Sequence, residues 1–555
     1  MVQPNQSSAS VQVHSVFAQG EEPPHASASS NESHPRALAP TNLVLTLVLS
    51  VFGAIVGIQM LASLGITPST SLIGALAAMS LARIPLAMFR GLRSVHAQNL
   101  AQTSISSATF GAANSLFLPI GIPFLFGLPD MVVPMLVGVS LAMLLDAWLL
   151  YRMFDTPAFP ARNPWPLGIA AAEAIKAGDS GGQRAWLLVA GLATGAAGAV
   201  FKLPMSAFGV ALIGGLGAMI AFGLGLLVRA YSVSLAGLDL AKLYVPHGMM
   251  IGAGVVALVQ VGRVVWQRTP ALPASTQAPA EDPNGRARLG RSLRLGGVGY
   301  FLIMVLLCAS TGLYLGMSPG MLLCFVLYGT FAAFVHELIV GIAAMHSGWF
   351  PAFAVALISL LIGILIGFPP EALVVLAGFS AATGPAFADM GYDLKAGHLL
   401  RGEQSGGAFE LEGRRQQMIA GMLGFGVAIV VVALSWRMFF AAGQTAPINA
   451  AYVAAIKAGI SAETARNLVL WAIPGAVLQW AGGSRRQLGV LFATGLLIAS
   501  PMAGWMVAAG ICARLALQRW LGADARERLE VFAGGVIAGD ALYSFFSGLV
   551  SSLRK

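Results

Sequence analysis

Long apolar runs separated by short polar links recur from residue 42 almost to the end of the chain. They lie near 42–64, 69–89, 100–127, 130–151, 184–201, 203–229 and 246–266. A second series follows near 296–317, 320–343, 350–368, 370–388, 416–440, 466–481, 486–519 and 530–550. About 20 apolar residues cross a bilayer as a helix, so the pattern predicts an all-α polytopic membrane protein. A membrane barrel would instead alternate apolar and polar residues over short segments. The count is 14 to 16 transmembrane helices, because 100–127 and 486–519 each read as one element or two. "NLAQTSISSATFGAANSLFLPIGIPFLFG" at 99–127 and "FSAATGPAFADMGYDLKAGH" at 379–398 are polar, Pro-punctuated stretches, and both are expected to be interrupted helices.

Composition strengthens this reading. Of the 555 residues 57% are hydrophobic and 10% charged, against roughly a quarter charged in soluble domains. The net charge of +9 comes from arginines in the polar links, as membrane orientation requires, so no nucleic-acid partner is expected. Cys308, Cys324 and Cys512 have no CxxC spacing, which argues against a disulfide framework or a zinc site. Residues 1–41 hold too few large apolar residues to fold and read as a disordered tail. The first run, beginning at residue 41, is long enough to span and lacks a basic flank, so a signal peptide is not expected.

Between the series, residues 267–294 are polar and Pro-rich. With Arg263 they carry six arginines against Glu281 and Asp282, which places this linker in the cytoplasm. Arginines 514, 519, 526 and 528 and the final "SSLRK" place the C-terminus there too. The implied location is the cytoplasmic (inner) membrane.

The two series resemble each other. "PLGIAAAEAIKAG" at 166–178 and "PINAAYVAAIKAG" at 447–459 agree at 7 of 13 positions, at an offset of 281. "GAGVVA" at 252–257 and "GGVIA" at 534–538 share that offset, and "GITP" at 65–68 pairs with "GMSP" at 316–319. The organisation is therefore read as a first repeat (42–266), the linker (267–294) and a second repeat (295–551). Internal duplication of a many-helix chain is a transporter signature, with substrate bound near the midplane where helices are interrupted.

Acids within apolar helices are costly and mark candidate sites. Glu173 stands three residues before Lys176, on the same helix face, and its repeat counterpart is Ala454. Lys176 also suits a helix end capped by Gly178. Asn99, Gln102, Thr103 and Ser106 form one helical stripe, fit for substrate contact or for hydrogen bonds between packed helices. Asp389, Asp393, Lys395 and His398 lie together in "DMGYDLKAGH", as substrate contacts or as an ion-pair network at the membrane edge. Asp146, His336, Glu337 and Asp540 are further polar groups in apolar runs. "HELIV" is not HExxH, and GxxxxGK[ST] is absent, so neither a zinc protease nor an ATP-driven pump is supported.

Taken together, "NLAQTSISSA", "NPWPLGIAAAEAIKAGD", "YVPHGMMIGAG", "DLKAGHLL", "APINAAYVAAIKAG" and "GGVIAGDAL" resemble phrases of the oligopeptide transporter superfamily, in the same order across most of 42–551. That superfamily includes yellow-stripe-like carriers of metal chelates and bacterial relatives, and the chain resembles a bacterial member related to the yellow-stripe-like carriers. The resemblance implies about 16 helices in two halves and secondary, usually proton-coupled, transport of small peptides or of peptide-like and metal-chelate compounds. It implies no cofactor beyond the proton gradient. The "NPGPF" and "KIPPR" phrases of the fungal and plant peptide branch are missing, and Asp540 stands where a glutamate is common.

The resulting expectation is a transporter, not an enzyme, whose candidate substrate-binding or coupling residues are Asn99, Gln102, Thr103, Glu173, Lys176, Asp393, Lys395, His398 and Asp540. Its partners are the bilayer and a small substrate, and a homo-oligomer is compatible with the chain. The rival reading is an intramembrane metal-dependent enzyme, such as a lipid-linked transferase, using Asp389 and Asp393 with a divalent cation. A membrane scaffold is a third reading, but it leaves the acids within the spans unexplained.

Overall fold

The computed structural model describes residues 33–64, 93–180, 182–266, 285–348, 351–402, 407–459, 461–522 and 525–553, together with Gly74, Ala75 and Ala78. The span expected at 69–89, nearly all of the N-terminal tail and most of the central linker lie outside these residues. The described chain is helical. It opens with α1 (Pro40–Leu64), α2 (Val95–Phe110), a π-helical segment (Gly111–Phe117) and α3 (Leu118–Phe126). Next come α4 (Val132–Met153), α5 (Pro166–Ser180), α6 (Gly182–Val200), α7 (Met205–Ile213), α8 (Leu216–Ala236) and α9 (Val245–Trp266). The second series is α10 (Gly285–Ser310), α11 (Pro319–Ser347), α12 (Ala352–Ile366), α13 (Pro370–Ala382), α14 (Pro385–Arg401) and α15 (Gly407–Ala441). It closes with α16 (Asn449–Ala458), α17 (Ala462–Arg486), α18 (Leu488–Leu497), α19 (Pro501–Leu521) and α20 (Ala525–Leu553).

Among the described residues, eight helical stretches are long and apolar enough to cross a membrane. Shorter apolar helices, among them α12 and α18, take up further runs. The run at 203–229 divides at Gly214–Gly215 into α7 and α8, and 486–519 divides into α18 and α19. In each run the division leaves one short helix, α7 or α18, beside a 21-residue helix, and α8 remains long enough to span.

The two expected interruptions turn out differently. Residues 95–126 stay continuously helical, wound through the π segment just before Pro119. The wider winding carries the preceding carbonyls away from the pyrrolidine ring, which a regular α-helix could not do without a clash. Residues 370–401 do break, at Thr383–Gly384–Pro385, between α13 and α14. Gly384 has φ +96°, and a Cβ there would sit 3.0 Å from Val340. Only glycine takes that backbone comfortably, while Pro385 suits the first turn of α14. The freed Gly384 N–H is met from a neighbouring helix, and the Thr383 hydroxyl from another. The Gly384 N–H donates to Asp146 Oδ2 on α4 (2.5 Å), and His336 Nδ1 on α11 lies 3.0 Å from Thr383 Oγ1. α13 and α14 lie in the innermost layer, where almost every side chain is buried.

Around this core the two series interlock. α6 packs along α20 and α9 along α17, while α7 packs on α19 and α8 on α18. Shifted by the 281-residue offset, α6 lands on α17, α7 on α18, α8 on α19 and α9 on α20, so each contact has its reciprocal. The close approaches depend on small residues. A Cβ on Gly191 would run into the Phe532 carbonyl, and one on Gly535 into the Leu188 carbonyl. At the reciprocal contact, Gly252 faces the Ala472 carbonyl and Gly475 that of Met249.

A Gly191→Leu substitution is therefore expected to force α6 and α20 apart and to destabilise the fold by about 1–3 kcal/mol or more. Thermal unfolding of the purified protein in detergent checks this, and a variant as stable as the parent would refute the close packing.

Candidate functional site

The polar stripe read from 99–107 lies on α2, and it faces α14. Gln102 Nε2 donates to Asp393 Oδ1 at 2.5 Å, and Ser106 Oγ donates to Asp389 Oδ1 at 2.7 Å. Both pairs are spaced by four residues on their own helices, so they form two rungs of an antiparallel ladder. Asn99 Nδ2 extends the ladder by donating to Gln102 Oε1 at 3.0 Å. A third helix joins through Gln417 on α15, whose Nε2 donates to the Asp393 carbonyl (2.7 Å) and to Thr103 Oγ1 (3.3 Å). All these side chains are buried. Ser107 Oγ and Asp389 Oδ2 have no hydrogen-bond partner, so the ladder retains unfilled capacity in an otherwise apolar setting.

The ladder ends against a charged cluster. Arg401, in the last turn of α14, donates through Nη1 to Gln417 Oε1 (2.9 Å) and through Nε to Glu410 Oε2 (2.5 Å). Arg414 Nε also reaches Glu410, at 2.7 Å, and its Nη2 reaches Asp155 at 3.0 Å. His398 Nδ1 lies 3.3 Å from Glu410 Oε1, so His398 belongs to this cluster and not to the ladder. Asp155 sits in the loop after α4. Its partial burial opposes ionisation, yet Arg414 and the Ala161 N–H outweigh that and hold its carboxyl below the usual carboxylate range.

The other candidates stand apart from the ladder. Lys395, on α14, donates from Nζ to the Ala161 carbonyl (2.8 Å) and lines a cavity of about 870 Å³. Arg162, Arg514, Arg526 and Glu530 line the same cavity. Glu173 and Lys176 pair with each other at 3.2 Å on α5, the glutamate buried and the lysine side chain 28% exposed. Asp540 caps a helix at long range: its Oδ2 accepts from the Ser206 N–H (2.7 Å) in the first turn of α7, where the helix dipole favours an anion. Thus Asn99, Gln102, Thr103 and Asp393 are brought together, whereas Glu173, Lys176 and Asp540 serve other contacts.

Sequence reasoning missed Arg401, Glu410, Arg414 and Gln417. The polar run "RGEQSGGAFELEGRRQQ" at 401–417 holds them, but it falls almost wholly between the apolar runs, where a charged residue carries no cost that would single it out. It missed Tyr300 as well, since one tyrosine in an apolar run carries no signal of its own.

The described residues thus form a helical membrane protein with a buried polar ladder and a charged cavity. The sequence matches the family described as "OPT oligopeptide transporter protein" over residues 38–266 and 208–550. The chain belongs to that family and is a multi-pass membrane transporter. No curated protein matches it.

Glu410 is the shared acceptor of two arginines, so Glu410→Ala is expected to cost about 3–5 kcal/mol of stability, as broken buried pairs do. Asp155→Asn should cost less than about 1 kcal/mol, because that carboxylate is half exposed. A depressed carboxylate contributes above the ordinary range and loses that contribution as pH falls through its own lower value. Thermal unfolding from neutral to acid pH should therefore show the Asp155→Asn difference shrinking toward the acid end.

Proposed function

We propose that the protein is a proton-coupled secondary transporter of small peptides or peptide-like metal chelates, working by alternating access between two homologous halves. The ladder of Gln102–Asp393 and Ser106–Asp389 carries this reading. Asp389, a buried acid with unfilled hydrogen-bonding capacity, faces a polar stripe on a helix of the other half, which is what a polar substrate needs on leaving water. The interlocked, reciprocal packing of α6–α9 with α17–α20 supports the two-copy origin.

The cavity supports the peptide part of the proposal. Its volume lies within the 300–1,000 Å³ common for small-ligand sites. Three arginines and Lys395 against the single acid Glu530 suit a carboxylate group. Asp389 and Asp393, on the same helix as Lys395, suit an amine. Arg514 and Arg526 belong to the run that the positive-inside rule assigns to the cytoplasm, so the cavity is read as the cytoplasmic mouth of a carrier in the cytoplasmic membrane. Glu173, neutralised by Lys176, is less suited to carry a proton than an acid without a cationic partner.

Radiolabelled trialanine is the probe for a test in proteoliposomes. An inward proton gradient is expected to drive its accumulation, and a Gln102→Leu/Ser106→Ala double variant should lower uptake at least about tenfold, a loss of about 1.4 kcal/mol. Uptake indifferent to the gradient would sink the coupling claim. Thermal stabilisation of the detergent-solubilised protein by a panel of tripeptides and metal chelates would separate the two substrate classes, since a ligand at 100 times its Kd adds about 2.7 kcal/mol.

A further inference from the structure

Tyr300 on α10 bridges two acids from two other helices in the buried core. Its hydroxyl lies 2.5 Å from Asp146 Oδ1 on α4 and 3.0 Å from Glu337 Oε2 on α11. All three side chains are fully buried. Among the described residues no lysine or arginine forms an ion pair with either acid. Phe334 and Phe379 pack edge-on against the Tyr300 ring. Among the described residues, His336 is the titratable neighbour next to Glu337 in sequence. Its Nε2 faces the Ala352 carbonyl at 2.6 Å and its Nδ1 faces Thr383, so it turns away from the acids.

Counting hydrogens decides the protonation state. A phenol has one hydrogen to donate. Two ionised carboxylates around it would leave one contact without a hydrogen, and two anions would share a dry site with no countercharge. Asp146 already receives two donors, Tyr300 OH and the Gly384 N–H, which is the environment of a carboxylate. Glu337 Oε1 has no partner, and its Oε2 can reach Tyr300 only by donating to the phenol oxygen. The hydrogens balance when Tyr300 donates to Asp146 and a protonated Glu337 donates to Tyr300.

We propose that Asp146, Tyr300 and Glu337 form a proton-binding site, with the proton resting on Glu337, and that its occupancy controls the break between α13 and α14. The link is Asp146, which holds Tyr300 with one oxygen and the Gly384 N–H with the other. When Glu337 releases its proton to water, two carboxylates compete for the single phenolic hydrogen. Asp146 then relieves the repulsion by withdrawing, which frees the Gly384 N–H and unlocks the start of α14. The same helix carries Asp389 and Asp393, so this assignment rests on the transport reading above and supplies that reading with its coupling site.

The test needs neither substrate nor transport, so its failure is distinguishable from failure of the transport reading. Infrared spectra of the purified protein at neutral pH should show a protonated-carboxyl C=O band that shifts in D2O and is missing in Glu337→Gln. Identical spectra in the two proteins, or a band lost in Asp146→Asn and kept in Glu337→Gln, would overturn the assignment. Glutamine can still donate to the Tyr300 oxygen, so this variant mimics the protonated site and should fold. Hydrogen–deuterium exchange reads the hinge. After correction for intrinsic base catalysis, segment 383–389 of the parent should exchange faster as pH rises, while Glu337→Gln should lose that dependence. An unchanged pH dependence in the variant would overturn the link to the break.

Discussion

The constraint on which the interior depends is that backbone polar groups in a dry core must find partners inside the protein. Most of the chain meets it by staying helical. At Thr383–Gly384–Pro385 the helix stops, and the requirement falls on side chains. Asp146 answers it from α4 by accepting the Gly384 N–H, and His336 on α11 meets the neighbouring Thr383 hydroxyl. A charged acceptor there is itself expensive, so it draws in Tyr300, and Tyr300 in turn meets Glu337. One broken turn thus accounts for a chain of polar residues across four helices, each present to satisfy the one before it.

The same reasoning explains what could be read from the sequence. The fold class followed from apolar run lengths, because lipid allows few alternatives. The Asn99–Gln102–Ser106 stripe was legible since polar residues at helical spacing stand out against apolar neighbours. That it would meet Asp389 and Asp393 was not legible, because the pairing depends on tertiary contact between segments nearly 300 residues apart. Pro119 signalled a break that did not occur, because a π segment can absorb a proline without interrupting the helix. Asp540 stands out by its cost in an apolar run and by the family resemblance. Its cost is offset by a helix N-terminus, a partner that no local pattern reveals.

The two halves interlock through matching helices, yet they carry different chemistry. Glu173 has Ala454 as its counterpart, and α13–α14 break within a turn where 95–126 bends through a π segment. Symmetric packing fixes the frame by close glycine contacts, which tolerate no enlargement on either side. The buried polar ladder lies away from those contacts, on α2 and the innermost helix α14. If the two series arose by duplication, the frame is what they kept and the ladder is where they diverged.

α14 ties the parts together. Its N-terminus rests on the Asp146 carboxylate, and its middle carries Asp389 and Asp393 against α2. Lys395 faces the basic cavity, and its last turn holds Arg401 in the Glu410 cluster. At 17 residues it is about 25 Å long, and a single helix of that length moves nearly as a rigid rod. A change at one end therefore shifts the ladder and the cavity wall together. With Gly384 as the joint and Arg401 as the anchored end, the proposed proton site, the polar ladder and the basic cavity are connected by one helix. On the proposed reading, a proton bound at one end of α14 would alter affinity at the ladder without any chain of small side-chain movements between them.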